Sequence, residues 1–232
     1  ARSNIAIPES KILALQGNDK TGLHPAMTGI QQLYNSGKAA IVQSAGYPQP
    51  NLSHFRSTDI WMSGSDSQEV VDTGWVGRYL NYEFPNFPNG YPNTTMPDPL
   101  AIQIGAVSSL TFHGPSMGMS MSITNPTSFY RIVDDVQDPA PPTRAGKELT
   151  YVREIARQTE LFASAVKRAA SNTAQQLPYP ENNELADQLK IVARLVKGGL
   201  KTRVYMVSYN GFDTHSMQTD QADSTIGKHA DL

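Results

Sequence analysis

Three side chains of this chain could share one chemistry: a carboxylate at Asp213, an imidazole at His215 and a hydroxyl at Ser53. Asp213 and His215 follow the run RVYMVSY from Arg203, in which Val204, Met206 and Val207 stand among β-favouring neighbours. The run predicts a strand Arg203–Tyr209, stopped by Asn210-Gly211. On extended backbone, residues two apart point to the same side, so Asp213 and His215 could bind one cation as oxygen and nitrogen ligands. The plainer reading is an Asx-type turn beside a surface histidine, and two ligands do not make a site.

Ser53 lies in Gly46–Gly64, GYPQPNLSHFRSTDIWMSG. Pro48 and Pro50 keep the chain extended, and Phe55, Thr58-Asp59 and Trp61-Met62 predict a helix beginning near Ser53. Serine at that position is a favoured cap, and the same helix end offers free amides to an anion. His54 could act as a base, a ligand or a surface residue, although adjacent helical residues do not face each other. A third chemistry is offered by Ser116–Ile123, SMGMSMSI, where Met117, Met119 and Met121 share one side of an extended strand a few residues after His113. Thioethers with an imidazole suit copper(I), and an apolar strand face is the commoner use of such a pattern.

The elements that must position these residues follow from periodicity. Helical spacing predicts a helix Pro25–Asn35 with His24 at its start, and AAIVQSA then predicts a strand Ala39–Ala45. Val70–Phe84 carries a further helical pattern, and Leu100–Ile104 a short strand. Two long helices are expected over Glu148–Ser171, with Val152, Ile155, Ala156, Phe162, Ala163 and Val166 on one stripe, and over Asn183–Lys197, with Leu185, Leu189, Val192 and Val196 on another. Gly198-Gly199 supplies the left-handed stop. The proline- and asparagine-rich stretch 84–99 reads as a long surface loop, and 134–146 as a loop or linker. Alternation of the two periods predicts one α/β domain over 1–232, in which Ala39–Ala45 and Arg203–Tyr209 share a mostly parallel sheet covered by the long helices.

Composition narrows the partners. The net charge of −2 comes without a basic stripe, which argues against nucleic acid or an anionic membrane surface. Metabolite and polymer partners stay open. With no cysteine, a metal must be held by Asp, Glu, His or hydroxyl groups. No stretch approaches the roughly 20 apolar residues of a membrane span, and no signal peptide precedes Ala1. A start without methionine and an end at Asp231-Leu232 give the expectation of a processed or truncated piece.

Two blocks carry a resemblance: Gly22–Gly64, with LHPAMTGIQQLYNSGKAAIVQSAGYPQPNLSHFRSTDIWMSG, and Asn210–Gln218, NGFDTHSMQ. They resemble the bacterial domain-of-unknown-function family 1501, itself related to alkaline phosphatases, sulfatases and cofactor-independent phosphoglycerate mutases. The resemblance implies a three-layer α/β/α sandwich, an exported or periplasmic protein, and metal-dependent hydrolysis of phosphate or sulfate esters. It places Ser53 where the superfamily has its nucleophile, and Asp213 and His215 where it has two ligands of a divalent ion such as zinc, manganese or calcium. Asn51 and His54 would stand beside substrate or ligands. The Asp-x-His spacing is shorter than in phosphatases, and the remaining ligands would lie before Ala1 and after Leu232, so the chain alone is expected to be inactive. The implied activity requires Ser53, Asp213 and His215 to converge at the carboxyl end of the sheet. The alternative is a non-catalytic exported scaffold or binding protein with the same fold.

Overall fold

The computed structural model describes residues 6–126, 140–172 and 177–213. The contacts divide the chain into two units, one of Ala1–Gly46 with Tyr209–Leu232 and one of Tyr47–Ser208.

The first unit holds an antiparallel hairpin of β1 (Leu13–Leu15) and β2 (Asn18–Leu23), which turns through Gly17 at φ +78°. The polar sequence NDKTGL hides this second strand from any hydrophobic period. Helix α1 (Thr28–Asn35) is tied to the hairpin from both ends. Gln31 Nε2 donates to the Ala14 carbonyl at 2.7 Å, and the Gln16 N–H donates to Asn35 Oδ1 at 2.9 Å. The helix begins three residues later than Pro25 because His24 organises a turn of its own. Its carbonyl accepts from the Met27 N–H at 2.9 Å and its Nδ1 from the Ala26 N–H at 3.2 Å.

Ala39–Ala45 is not a strand. Val42 is 81% exposed, and Ser44 takes φ +55°, which breaks extended backbone. A strand is stable only when a neighbour takes its N–H and C=O groups. Among the described residues of this unit only β1 and β2 form a sheet, and they pair with each other. The expectation that this run shares a sheet with Arg203–Tyr209 is therefore corrected.

The second unit is built on a three-stranded parallel sheet in the order β4-β3-β5. Central β3 (Ala101–Ile104) is buried at every residue, as a parallel strand covered on both faces must be. It pairs with β4 (Ser120–Ile123) from Ala101↔Ser120 to Ile104↔Ile123, and with β5 (Val204–Met206) from Ala101↔Val204 to Gln103↔Met206. Alternation sends Ile102, Ile104, Met121 and Ile123 to one face. There they pack against Phe162, Val166 and Ala169 of α4 (Arg144–Ser171) and Leu195 of α5 (Glu184–Lys197). Ala101 and Val204 face the other way, onto Val76 and Leu80 of α3 (Trp75–Glu83) and onto Phe112. Helix α3 runs close against backbone at Gly77, where an added Cβ would stand 2.2 Å from the His113 carbonyl oxygen.

Several expectations change in detail. The buried face of α5 carries Ala186, Ile191, Val192 and Leu195, while Leu189 and Val196 of the expected stripe are exposed. Val152 of α4 is exposed too, so the expected stripe is buried only from Phe162 onward among its described side chains. Helix α4 starts at Arg144, with the Thr143 hydroxyl accepting from the Gly146 N–H at 3.1 Å, so the expected linker 134–146 ends in helix and its 134–139 part lies outside the described residues. Stretch 84–99 is more than surface: Phe87 and Met96 are buried in the α3 cluster, and Asn93 spends its side-chain amide on a local turn with Gly90, Thr95 and Met96. The methionines do not share a side. Met119 is buried with Phe112 in the α3 cluster and Met121 in the α4 cluster, which removes the copper-type stripe.

Candidate functional site

Helix α2 (His54–Ser63) begins as the sequence suggests, with Ser53 as its cap at φ −74°, ψ 124°. Ser53 Oγ accepts from the Arg56 N–H at 3.5 Å, a long cap, and its carbonyl accepts from the Ser57 N–H at 2.8 Å. The loop before it is fixed by two side chains. Asn51 Oδ1 accepts from the Ser53 N–H at 2.8 Å, while the Tyr47 hydroxyl accepts from the Asn51 N–H at 3.1 Å and lies 3.0 Å from Ser57 Oγ. The Tyr47 ring meets Trp61 edge-on at 6.3 Å. Asn51, Ser53 and His54 are all exposed, so the first amides of α2 open to solvent beside a serine held in extended conformation. The far end of the helix is closed by Gly64 at φ +65° and by Arg78, whose Nη2 donates to the Ser63 carbonyl at 2.8 Å. Arg56 does not face the cap; its guanidinium donates to the carbonyls of Asp66, Ser67 and Glu69.

Asp213 is exposed and belongs to the first unit, whereas Asn51, Ser53 and His54 belong to the second. His215 lies outside the described residues. The segment leading toward them is pinned inside the second unit. The Arg203 N–H donates to the Leu100 carbonyl at 3.0 Å, and the Gln188 amide grips Ser208 like a neighbouring strand, accepting from its N–H at 2.9 Å and donating to its carbonyl at 2.7 Å. Among the described residues no three His, Asp or Glu side chains gather closely enough to hold a metal ion. The donors named from the sequence, a carboxylate, an imidazole and a hydroxyl, suit a hard or borderline divalent ion.

Beside β5 the polar chemistry of the second unit concentrates on a few groups. Asp98 is buried and accepts from the Lys201 N–H at 2.8 Å. Tyr205 is held above the ordinary tyrosine range, first by burial and then by the negative charge of Asp98, with the Thr202 hydroxyl pulling the other way. Neither the Thr202 nor the Tyr205 hydroxyl finds a hydrogen bond of good geometry. Burial is therefore the main cause of the shift.

Sequence reading missed a concavity in the second unit. A pocket of about 620 Å³ opens along α2, with Thr58, Trp61 and Met62 on one wall and Trp75 on another. Val204 and Met206 of β5 close it on the sheet side. The signal was present in Trp61 and Trp75, two large aromatic side chains in helical patterns, which the structure leaves 55% and 54% exposed.

No family model, curated protein or solved structure matches this chain. No helix among the described residues is long and apolar enough to cross a membrane.

Proposed function

We propose that the protein is a hydrolase of phosphate or sulfate esters with an alkaline-phosphatase-like three-layer α/β/α sandwich, acting outside the cytoplasm. The observation that supports this most is Ser53, an exposed hydroxyl at the first turn of a ten-residue helix in a unit whose parallel sheet has helices on both faces. In this reading Ser53 Oγ bonds to phosphorus or sulfur as the bond to the alcohol oxygen breaks, and the serine proton passes through solvent to the departing oxygen, which leaves as the alcohol. The first amides of α2 receive the non-bridging oxygens as their charge grows. Water then releases the acid from Ser53, and Asn51 keeps the serine oriented through its 2.8 Å hydrogen bond to the backbone. Asp213 and His215 would hold a divalent ion, which when bound lowers the pKa of a coordinated hydroxyl and offsets charge on the ester. With so few ligands from this chain, its metal affinity is low and readily lost to chelators.

The test compares the protein with its variants Ser53→Ala and Asp213→Asn on aryl phosphates and sulfates, with bound metal measured in parallel. The expected result is turnover by the unaltered protein, loss of kcat in Ser53→Ala and loss of metal in Asp213→Asn. Losing so long a cap destabilises by about 0.5 kcal/mol, the low end for such substitutions, so Ser53→Ala stays folded. If the metal-loaded protein turns over no ester, or the variants match it in rate and metal content, the non-catalytic scaffold replaces the enzyme.

A further inference from the structure

We infer that the pocket along α2 binds a flat aromatic ring, which, if Ser53 is the nucleophile as proposed above, is the alcohol part of an aryl phosphate or sulfate. Its volume of about 620 Å³ is of the size that takes small organic ligands. Its lining carries no charged side chain. The hydroxyls of Thr58 and Thr111 are already engaged, Thr58 Oγ1 donating to the His54 carbonyl at 2.8 Å and Thr111 Oγ1 accepting from Ser109 at 3.0 Å, while the Tyr205 side chain packs against the α4 cluster, on the other face of the sheet from Val204 and Met206. A sugar would need several unspent donors and acceptors, so the lining selects an apolar guest. Two half-exposed indoles, one from α2 and one from α3, select a flat one, because aromatic faces and edges attract each other beyond the area they bury.

The link to Ser53 is helical geometry. His54, Thr58, Trp61 and Met62 fall on one face of α2, and Thr58 stands five residues beyond Ser53, about 7.5 Å along the axis at about 1.5 Å per residue. An ester group at the helix N-terminus therefore has its ring within reach of the near end of the pocket.

The chain has two tryptophans and both line this pocket, so intrinsic fluorescence reports on it directly. The probes are nitrobenzene, nitrocyclohexane as its non-planar counterpart, and phenyl phosphate. Nitrobenzene is expected to quench saturably and to outcompete nitrocyclohexane, and Trp61→Leu, Trp75→Leu and the pocket-filling Thr58→Trp each to weaken it about tenfold by calorimetry. Circular dichroism of each variant keeps folding separate from binding. Linear quenching without saturation, equal binding of both probes, or unchanged binding in all three variants overturns the inference. So does a blue, buried tryptophan emission that nitrobenzene leaves unchanged, which would mean that polypeptide covers the pocket. Saturable nitrobenzene binding without turnover of phenyl phosphate keeps the ring site and removes the ester reading. Turnover indifferent to the three substitutions does the reverse.

Discussion

Gly198 and Gly199 sit side by side at the end of α5 for different physical reasons, and alanine at each separates them. Gly198 has φ −69°, open to any residue, yet an added Cβ would lie 2.3 Å from the Ala169 carbonyl oxygen and 2.5 Å from the Ala169 Cα of α4. That is about 1 Å inside ordinary contact, and both obstacles are backbone, so the helices must part. Separation of that size forfeits a quarter to a half of the dispersion well for the atoms involved. Those atoms include Val166, Ala169 and Leu195, all fully buried. Overpacking of this kind costs about 1–3 kcal/mol, and the rigid obstacles place Gly198→Ala near 3. Gly199 has φ +87° with nothing within 4 Å of its would-be Cβ, so Gly199→Ala costs only the left-handed strain, about 1 kcal/mol. Asparagine tolerates that conformation, so Gly199→Asn recovers part of the loss while Gly198→Asn does not. Urea unfolding followed by circular dichroism measures all four. The reasoning is refuted if Gly198→Ala costs no more than Gly199→Ala, or if asparagine is tolerated equally at the two positions.

Two further outcomes test the β5 side of the sheet. The Tyr205 pKa is raised in the folded state above the ordinary 10.0, so the neutral phenol contributes stability that is complete below pH 10 and is lost as pH rises through the folded-state value. Tyr205→Phe should therefore gain on the wild type in urea unfolding above pH 10, and parallel pH profiles would contradict the assignment. Asp98→Ala removes the buried acceptor of the Lys201 N–H and should destabilise by about 1.5–3 kcal/mol, the range of a hydrogen bond to a charged group, while Asp98→Asn keeps an acceptor and should cost less than half as much; equal costs in denaturant melts would show that the acceptor does not matter.

The start of α2 was legible in the sequence because its signals are local: two prolines, a capping serine and a glycine stop act within a few residues of the bonds they make. Strands β3 and β5 and helices α3 to α5 were legible from their periods, since burial on one or both faces is written into residue order. Which face of α5 goes inward was not, because Leu189 and Val196 compete with Ile191 and Leu195, and the choice is made by the backbone of Ala169 against Gly198. Ala39–Ala45 shows the limit most directly: its composition is that of a strand, and only a partner able to take its N–H and C=O groups could have made it one. The methionines divide in the same way. Residue order put Met119 and Met121 on one side of a strand, and the tertiary structure, by starting β4 after Met119, sent them to opposite clusters. The pocket likewise belongs to the tertiary structure, since Trp61 and Trp75 lie in separate helical patterns and come to line one cavity only through the packing of α2, α3 and β5.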